Sequence, residues 1–138
     1  MVVAVIEFHL DARSGVPPYQ QLIRQVRHAL RLGLLKEGDK LPTVKDVVAR
    51  IAINPNTVLK AYRELEYEGL VQPRPGLGTF VTRTLGGDDT LAAHEPLRQD
   101  LTGWLAKARA AGLDDESIEA LLISTFRVFS AERAGRRG

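Results

Sequence analysis

The side chains best suited to contact a ligand lie in the stretch INPNTVLKAYREL, residues 53–65. Asn56, Lys60 and Arg63 follow one another at helical spacing, so a helix presents them on one face. An asparagine amide can pair with adenine through two hydrogen bonds, and lysine and arginine side chains can reach phosphate oxygens. By themselves these residues are better explained as the solvated face of a capped helix. Contact with duplex nucleic acid is the alternative, which the β-hairpin predicted below favours.

The same helix opens with four residues that contribute little to a core: Asn54, Pro55, Asn56 and Thr57. Asn54 is a favoured N-cap residue, and a proline at the first helical position loses no hydrogen bond. Asn56 and Thr57 are then expected beside free backbone N–H groups and the positive end of the helix dipole. The cap is a sufficient explanation for Asn54, yet Asn54, Pro55, Asn56 and Thr57 are all predicted at the end of the helix that contacts duplex nucleic acid.

Three helices are predicted in the first half of the chain from the spacing of apolar residues. The first follows Pro17 and ends at Gly33. The second is about two turns long; Thr43 can cap it, and Asp46 stands where a capping box has an acid. The third carries the polar face described above, and its buried face is formed by Val58, Ala61, Tyr62 and Leu65.

A β-hairpin is predicted after the third helix, where two β-type runs, Leu70–Gln72 and Thr79–Thr82, surround a Pro/Gly turn. Arg74, Gly76 and Leu77 belong to this turn, which can approach a phosphate backbone or a minor groove. A short strand is also predicted over residues 2–10, followed by a turn at residues 11–15.

Residues 85–138 are predicted to form a linker and two amphipathic helices, the second capped by Asp114 and frayed over its last eight residues. The apolar stripe of the first helix is formed by Leu97, Leu101, Trp104, Leu105 and Ala108. That of the second is formed by Ile118, Leu121, Leu122, Thr125, Phe126 and Phe129. Because a helical hairpin cannot bury both stripes by itself, we expect a second copy of the chain to cover them in a C2 homodimer. Packing on the first half of the chain is the alternative.

Composition excludes several classes of protein. The 138-residue chain has no cysteine, which excludes disulfides, thiolate metal sites and a cysteine nucleophile. No run is long enough to span a membrane, and the N-terminus does not resemble a signal peptide, so we expect a cytoplasmic protein. Residues 1–84 carry a net charge of +4 and residues 85–138 one of −2, so a polyanion would favour the first part.

No catalytic or metal site is predicted. His9, His28 and His94 are scattered, and no serine has the surroundings of a nucleophile. The acidic pair Asp88–Asp89 is better explained by a linker, and the acids from residue 114 to 116 by a helix N-terminus. No cofactor is expected.

Four stretches, PPYQQLIRQVRHAL, GDKLPTVKDVVA, INPNTVLKAYRELEYEGLV and RPGLGTFV, together resemble the DNA-binding domain of GntR-type bacterial transcription regulators over about residues 16–84. The NPNTV form and the short helical tail are similar to the YtrA subgroup. The resemblance implies a winged helix-turn-helix domain, mainly α with a small β-hairpin wing, followed by a two-helix dimerisation hairpin. It also implies a homodimeric repressor of a double-stranded DNA operator, with a possible small-molecule effector of unknown identity. A winged-helix interaction or RNA-binding module without operator specificity is the alternative.

The resemblance also implies roles for single residues. Thr43 and Lys45 are predicted to contact DNA at the start of the second helix. Lys45 stands at a DNA-contacting basic position, where lysine favours phosphate contact over guanine recognition. Pro55 and Leu59 stand where many relatives have arginine, so the operator preference of those relatives does not carry over. Gly76 matches the wing glycine. Ala52 stands where the turn between the helices commonly has glycine; a left-handed backbone there would strain alanine by about 1 kcal/mol.

Overall fold

The computed structural model describes residues 6–86 and 90–136. The described part contains five helices and one antiparallel pair of strands: α1 Pro18–Arg31, α2 Val44–Ile51, α3 Pro55–Tyr67, β1 Val71–Arg74, β2 Gly78–Val81, α4 Thr90–Ala110 and α5 Asp115–Arg136. The chain divides into two compact units, Met1–His94 and Glu95–Gly138. Mainly α architecture with a β-hairpin is therefore confirmed.

The core of the first unit is formed by the apolar faces of its helices and hairpin. Leu22, Val26 and Leu30 of α1 are buried against the face of α3 that was predicted to be buried, Val58, Ala61, Tyr62 and Leu65. An ion pair between Arg27 of α1 and Glu68, the C-cap of α3, also connects the two helices. The position of α3, and hence of its polar face, is set by this packing.

The turn between α2 and α3 is tight, and it is fixed by an N-cap, a left-handed residue and one buried hydrogen bond. The Thr43 hydroxyl accepts a hydrogen bond from the N–H of Asp46 at 3.1 Å, which caps α2 as predicted. Ala52 ends α2 in the left-handed conformation, with a φ of 50°, so the predicted strain at this alanine is present. The buried hydroxyl of Tyr62 in α3 donates to the Pro42 carbonyl at 2.6 Å. This hydrogen bond ties α3 to the segment that leads into α2.

The hairpin follows α3 directly, and its register is defined by four residue pairs from Val71↔Val81 to Arg74↔Gly78. Val71 and Val81 are buried in the core, so the alternate residues face outward. The other edge of β2 is paired by the segment at Lys40, which forms an isolated antiparallel bridge with Phe80. Both predicted β-type runs lie in this hairpin.

The predicted strand at residues 2–10 is wrong for residues 6–10, which form no regular strand; residues 1–5 lie outside the described part. Ile6 and Phe8 are nevertheless buried in the core. The Gln25 side chain accepts from the His9 N–H at 3.1 Å and donates to the His9 carbonyl at 2.7 Å. Because a side-chain amide supplies these hydrogen bonds, the segment needs no neighbouring strand.

The helices of the tail are longer than predicted. The helix α4 begins at Thr90, although a linker was predicted through this residue, and the stretch 87–89 with Asp88–Asp89 lies outside the described residues. The expectation that the last eight residues are frayed is wrong for residues 131–136, which are helical in α5. Alanine, glutamate and arginine are strong helix formers, which accounts for both extensions. The Asp114 carboxylate accepts from the Ser117 N–H at 2.8 Å and caps α5 as predicted.

Candidate nucleic-acid interface

The first turn of α3 presents side chains outward and uses its backbone groups internally. The side-chain oxygen of Asn54 accepts from the Asn56 N–H at 2.8 Å, and the Thr57 N–H bonds to the Asn54 carbonyl at 3.0 Å. Pro55 has no N–H. The expectation of free N–H groups beside Asn56 and Thr57 is therefore wrong, because the cap and the first turn satisfy them. Contacts from this end must come from side chains.

Asn56 is the exposed amide at this end of the helix. Its side chain forms no hydrogen bond with any of the residues that the structure describes, so both its donor and its acceptor are available. Thr57 beside it is half-buried. This arrangement can present an amide to a base edge without disturbing the cap, since the cap is made by Asn54.

The two cations of the predicted face have different surroundings. Arg63 is exposed, whereas the Lys60 ammonium lies 3.9 Å from the centre of the Tyr19 ring of α1. A cation over an aromatic ring is attracted by the negative face of the ring. Lys60 is therefore held toward the start of α1, which the sequence did not predict because the contact depends on how α1 and α3 pack.

The start of α2 was also predicted at the interface, through its N-cap Thr43 and through Lys45. Lys45 is exposed in the first turn of this helix. The hydroxyl of Thr43 already accepts the capping hydrogen bond, although the side chain is exposed. Lys45 is thus available for a phosphate, while Thr43 has a structural role that is independent of any ligand.

The wing ends in a rigid turn. The Leu77 N–H bonds to the Arg74 carbonyl at 2.9 Å, and Gly76 has a φ of 75° after Pro75, as in a type II turn. Leu77 is 62% exposed at this tip. The Arg74 guanidinium lies 4.6 Å from the centre of the Phe80 ring. The tip therefore combines an exposed apolar side chain with a cation held at its base.

Lys40 is a basic residue of this surface that the sequence did not point to. Its backbone pairs with Phe80, and its side chain crosses the start of β2 at Gly78. The stretch GDKL resembles an ordinary loop, and only the pairing with β2 brings this lysine to the wing. A local signal for it is absent from the sequence.

The tail residues predicted to dimerise differ in their burial within a single chain. Ala108 and Ile118 are buried, and Trp104, Leu105 and Leu122 are half-buried. The remaining predicted residues are exposed: Leu97, Leu101, Leu121, Thr125, Phe126 and Phe129. Phe126 and Phe129 are 70% and 65% exposed. The α4–α5 hairpin thus leaves much of both stripes in contact with solvent.

Other kinds of site were sought in the described ranges. Residues 6–86 and 90–136 contain no group of three His, Asp or Glu side chains placed to hold a metal ion. None of the helices in these same ranges has the length and hydropathy needed to cross a bilayer.

A short capped helix, a tight turn, a second helix with an exposed polar first turn and a β-hairpin define a winged helix-turn-helix, a class of DNA-binding protein. The family model for bacterial regulatory proteins of the gntR family matches residues 18–81. The chain is 35% identical over 109 residues to the HTH-type transcriptional repressor YtrA of Bacillus subtilis, spanning 79% of this chain and 84% of that protein. It is 39% identical over 104 residues to the HTH-type transcriptional regulator Rv1152 of Mycobacterium tuberculosis, spanning 75% and 81%. The chain belongs to the GntR family of bacterial transcription regulators.

Two solved structures have a similar fold. YtrA from Sulfolobus acidocaldarius, a GntR-family transcription factor, has a TM-score of 0.51 at 28% identity and covers 71% of this chain and 96% of its own. A transcriptional antiterminator from Listeria monocytogenes EGD-e has a TM-score of 0.55 at 29% identity, with coverage of 88% and 91%. The chain is therefore a YtrA-like DNA-binding transcription regulator and not an enzyme, since the family and its relatives are regulators.

Proposed function

We propose that this regulator represses transcription in the cytoplasm by binding, as a homodimer, to a near-palindromic duplex operator. The observation that carries the proposal is the exposed amide of Asn56 in the first turn of α3, which is unpaired among the described residues and lies in the same compact unit as the wing. Similarity to the transcriptional repressor YtrA of Bacillus subtilis supports repression, rather than activation, as the effect on transcription.

In this proposal the start of α3 enters the major groove and the wing lies along the neighbouring minor groove. Asn56 reads a base edge, with adenine as the preferred partner, and Thr57 contributes beside it. The cations Lys45, Lys60 and Arg63 contact phosphates. Because Pro55 stands where many relatives have arginine, the first turn has no arginine side chain that could read guanine. We therefore expect few direct contacts with bases to define the operator.

In this proposal the wing recognises the shape of the DNA more than it forms hydrogen bonds with bases. Gly76 allows the backbone to approach the DNA closely, and Arg74 supplies a positive charge. Leu77 at the tip is apolar, and apolar side chains placed in a minor groove favour base steps that unstack easily. We therefore expect a preference for flexible steps, such as TA, where the wing meets the operator.

The tail supplies the dimer. Apolar residues of α4 span a narrow arc of the helix, whereas α5 also exposes Ile123 and Val128 outside the predicted stripe. At about 100° per residue, the apolar arc of α5 then extends over roughly 220° of its circumference. A helix apolar over so wide an arc requires cover on more than one side. A second copy of the hairpin provides this cover in a four-helix arrangement with α5 at its centre.

A C2 dimer presents two α3 helices to two half-sites whose centres are one helical turn of DNA, or a multiple of it, apart. The proposal is tested by titrating the protein with three duplexes over a series of salt concentrations. These are an operator selected from a pool of random DNA, a random DNA duplex and an RNA duplex. We expect tighter binding to the operator at every salt concentration and a steep loss of affinity as salt increases. Equal affinity for operator and random DNA would overturn the proposal of operator specificity, and preference for the RNA duplex would favour the alternative module.

A further inference from the structure

The outward face of the wing carries two basic residues on neighbouring rows. Phe80 pairs with Gln72 on one side and with Lys40 on the other, so these three residues form one row across the sheet. Arg74 pairs with Gly78 in the next row, on the same face, because alternate residues of a strand share a face. The register alone therefore places Lys40 and Arg74 on one surface.

Gly78 allows the Lys40 side chain to lie flat across this surface. A Cβ atom at Gly78 would lie 2.7 Å from Cε of Lys40 and 3.5 Å from its Nζ. No larger residue leaves room for the lysine in this position. Since Gly78 is the cross-strand partner of Arg74, and the Cβ positions of such partners are about 5 Å apart, the Lys40 ammonium lies within roughly 9 Å of the Arg74 Cβ atom.

The side chain of Arg74 is held by the ring of Phe80. Its guanidinium stacks on the Phe80 ring at 4.6 Å, which orients the group and restricts its motion. Neither Lys40 nor Arg74 forms an ion pair with any residue in the described ranges. The surface thus carries two cations with no acid paired to either in those ranges, and an anion bound there is attracted by both.

We propose that Lys40 and Arg74, with Gly78 between them, form a clamp for one DNA phosphate; this inference rests on the proposed function. Lys40 stands three residues before Thr43, the N-cap of α2, so the clamp lies between the wing and the helix that carries Lys45. A phosphate in the clamp fixes the wing beside the minor groove. The clamp recognises the backbone and has no preference for sequence.

Substitution of Lys40 by glutamine tests the clamp, because glutamine keeps much of the stem and removes the charge. The plot of log affinity against log salt concentration has a negative slope. We expect K40Q and Arg74→Gln each to reduce the magnitude of this slope by about 0.9, on operator and random duplex alike. Because both residues hold one phosphate, the double variant should lose little more than either single variant. Lys40→Arg, which keeps a cation, should retain the slope of the parent protein.

Lys36→Gln is the matched control, since Lys36 is an exposed lysine of the same loop and its loss changes the net charge equally. Thermal unfolding of each variant verifies that the fold is intact. The clamp is wrong if K40Q and Lys36→Gln give the same slope and affinity, or if the losses of K40Q and Arg74→Gln add fully. The random-duplex slope tests the clamp even where no operator preference is found, which separates its failure from that of the proposed function.

Discussion

Asn56 and Lys60 lie one turn apart on the exposed face of α3 and have different surroundings. The Asn56 amide is exposed and unpaired within the described residues, whereas the Lys60 ammonium rests on the Tyr19 ring. An amide has directional donors and acceptors and can distinguish bases, while an ammonium is a point charge that attracts any phosphate. Their substitution should therefore have different consequences.

We expect Asn56→Ala to weaken binding to the selected operator by about 1–3 kcal/mol and to leave binding to random duplex nearly unchanged. Lys60→Ala should weaken binding to both duplexes alike and lower the salt slope by about 0.9. Fluorescence anisotropy titration of both duplexes over a salt series measures these effects. Equal losses on operator and random DNA for both variants would refute the assignment of Asn56 to base recognition.

The turn between α2 and α3 is held in a strained form by Ala52, whose φ is 50°. Glycine adopts this conformation without strain, so Ala52→Gly should raise the free energy of unfolding by roughly 0.5 kcal/mol after its larger chain entropy is subtracted. Ala49→Gly is the matched control, because Ala49 is exposed within α2. That variant should lower stability by about 0.5–1 kcal/mol. Chemical denaturation measures the stability of the two variants. An equal loss of stability in Ala52→Gly and Ala49→Gly would contradict the strain at Ala52.

Tyr62 connects α3 to the segment before α2. Burial raises the pKa of its hydroxyl well above the usual range, and the nearby negative charge of Asp46 adds to the increase. The folded state therefore holds this proton more tightly than the unfolded state, where the pKa is about 10. The corresponding stability is complete below pH 10 and is lost as pH rises above it.

Tyr62→Phe should lower the free energy of unfolding by about 1 kcal/mol at pH 8, because the Pro42 carbonyl loses its donor. It should also reduce the fall in stability above about pH 10, as measured by denaturation between about pH 8 and pH 11. Tyr67→Phe, at a position that is 93% exposed, should leave both quantities unchanged. A parallel alkaline fall in the parent protein and Tyr62→Phe would show that other groups cause it.

Features with local causes were predictable from the sequence, and features with tertiary causes were not. The caps at Thr43 and Asn54 and the turn at Gly76 follow from side-chain type and spacing within a few residues. The contacts of Lys40 with Gly78 and of Lys60 with Tyr19 join residues distant in sequence. In the tail, the apolar stripe alone does not predict where α4 begins, because alanine and glutamate favour a helix before the stripe starts.

At the scale of the whole molecule, the two units have surfaces suited to different partners. The first unit contains the wing, the exposed amide of Asn56 and the whole net charge of +2, since residues 95–138 hold seven basic and seven acidic side chains. The second exposes large apolar side chains, among them Phe126 and Phe129. An exposed apolar surface of this kind is typical of a protein–protein interface, and its burial in a second copy would join two DNA-binding units.

We expect Phe129→Glu to convert the proposed homodimer to monomers, because a carboxylate would be buried without a partner. Ala120→Glu is the matched control, since it introduces the same side chain at an exposed position on the polar side of α5. Trp104→Glu in α4 should have the same effect as Phe129→Glu. Sedimentation velocity measures the oligomeric state, and a dimer that persists in Phe129→Glu and Trp104→Glu would place the interface elsewhere.

Selection of bound sequences from a pool of random duplex DNA tests sequence-specific binding by a homodimer most directly. We expect enrichment of one near-palindromic sequence, with two half-sites whose centres are one helical turn or a multiple of it apart. Asn56→Ala should relax the preference at the same position of both half-sites. A pool that shows no enrichment over random duplex would contradict operator recognition, and a single asymmetric site would contradict binding as a symmetric dimer.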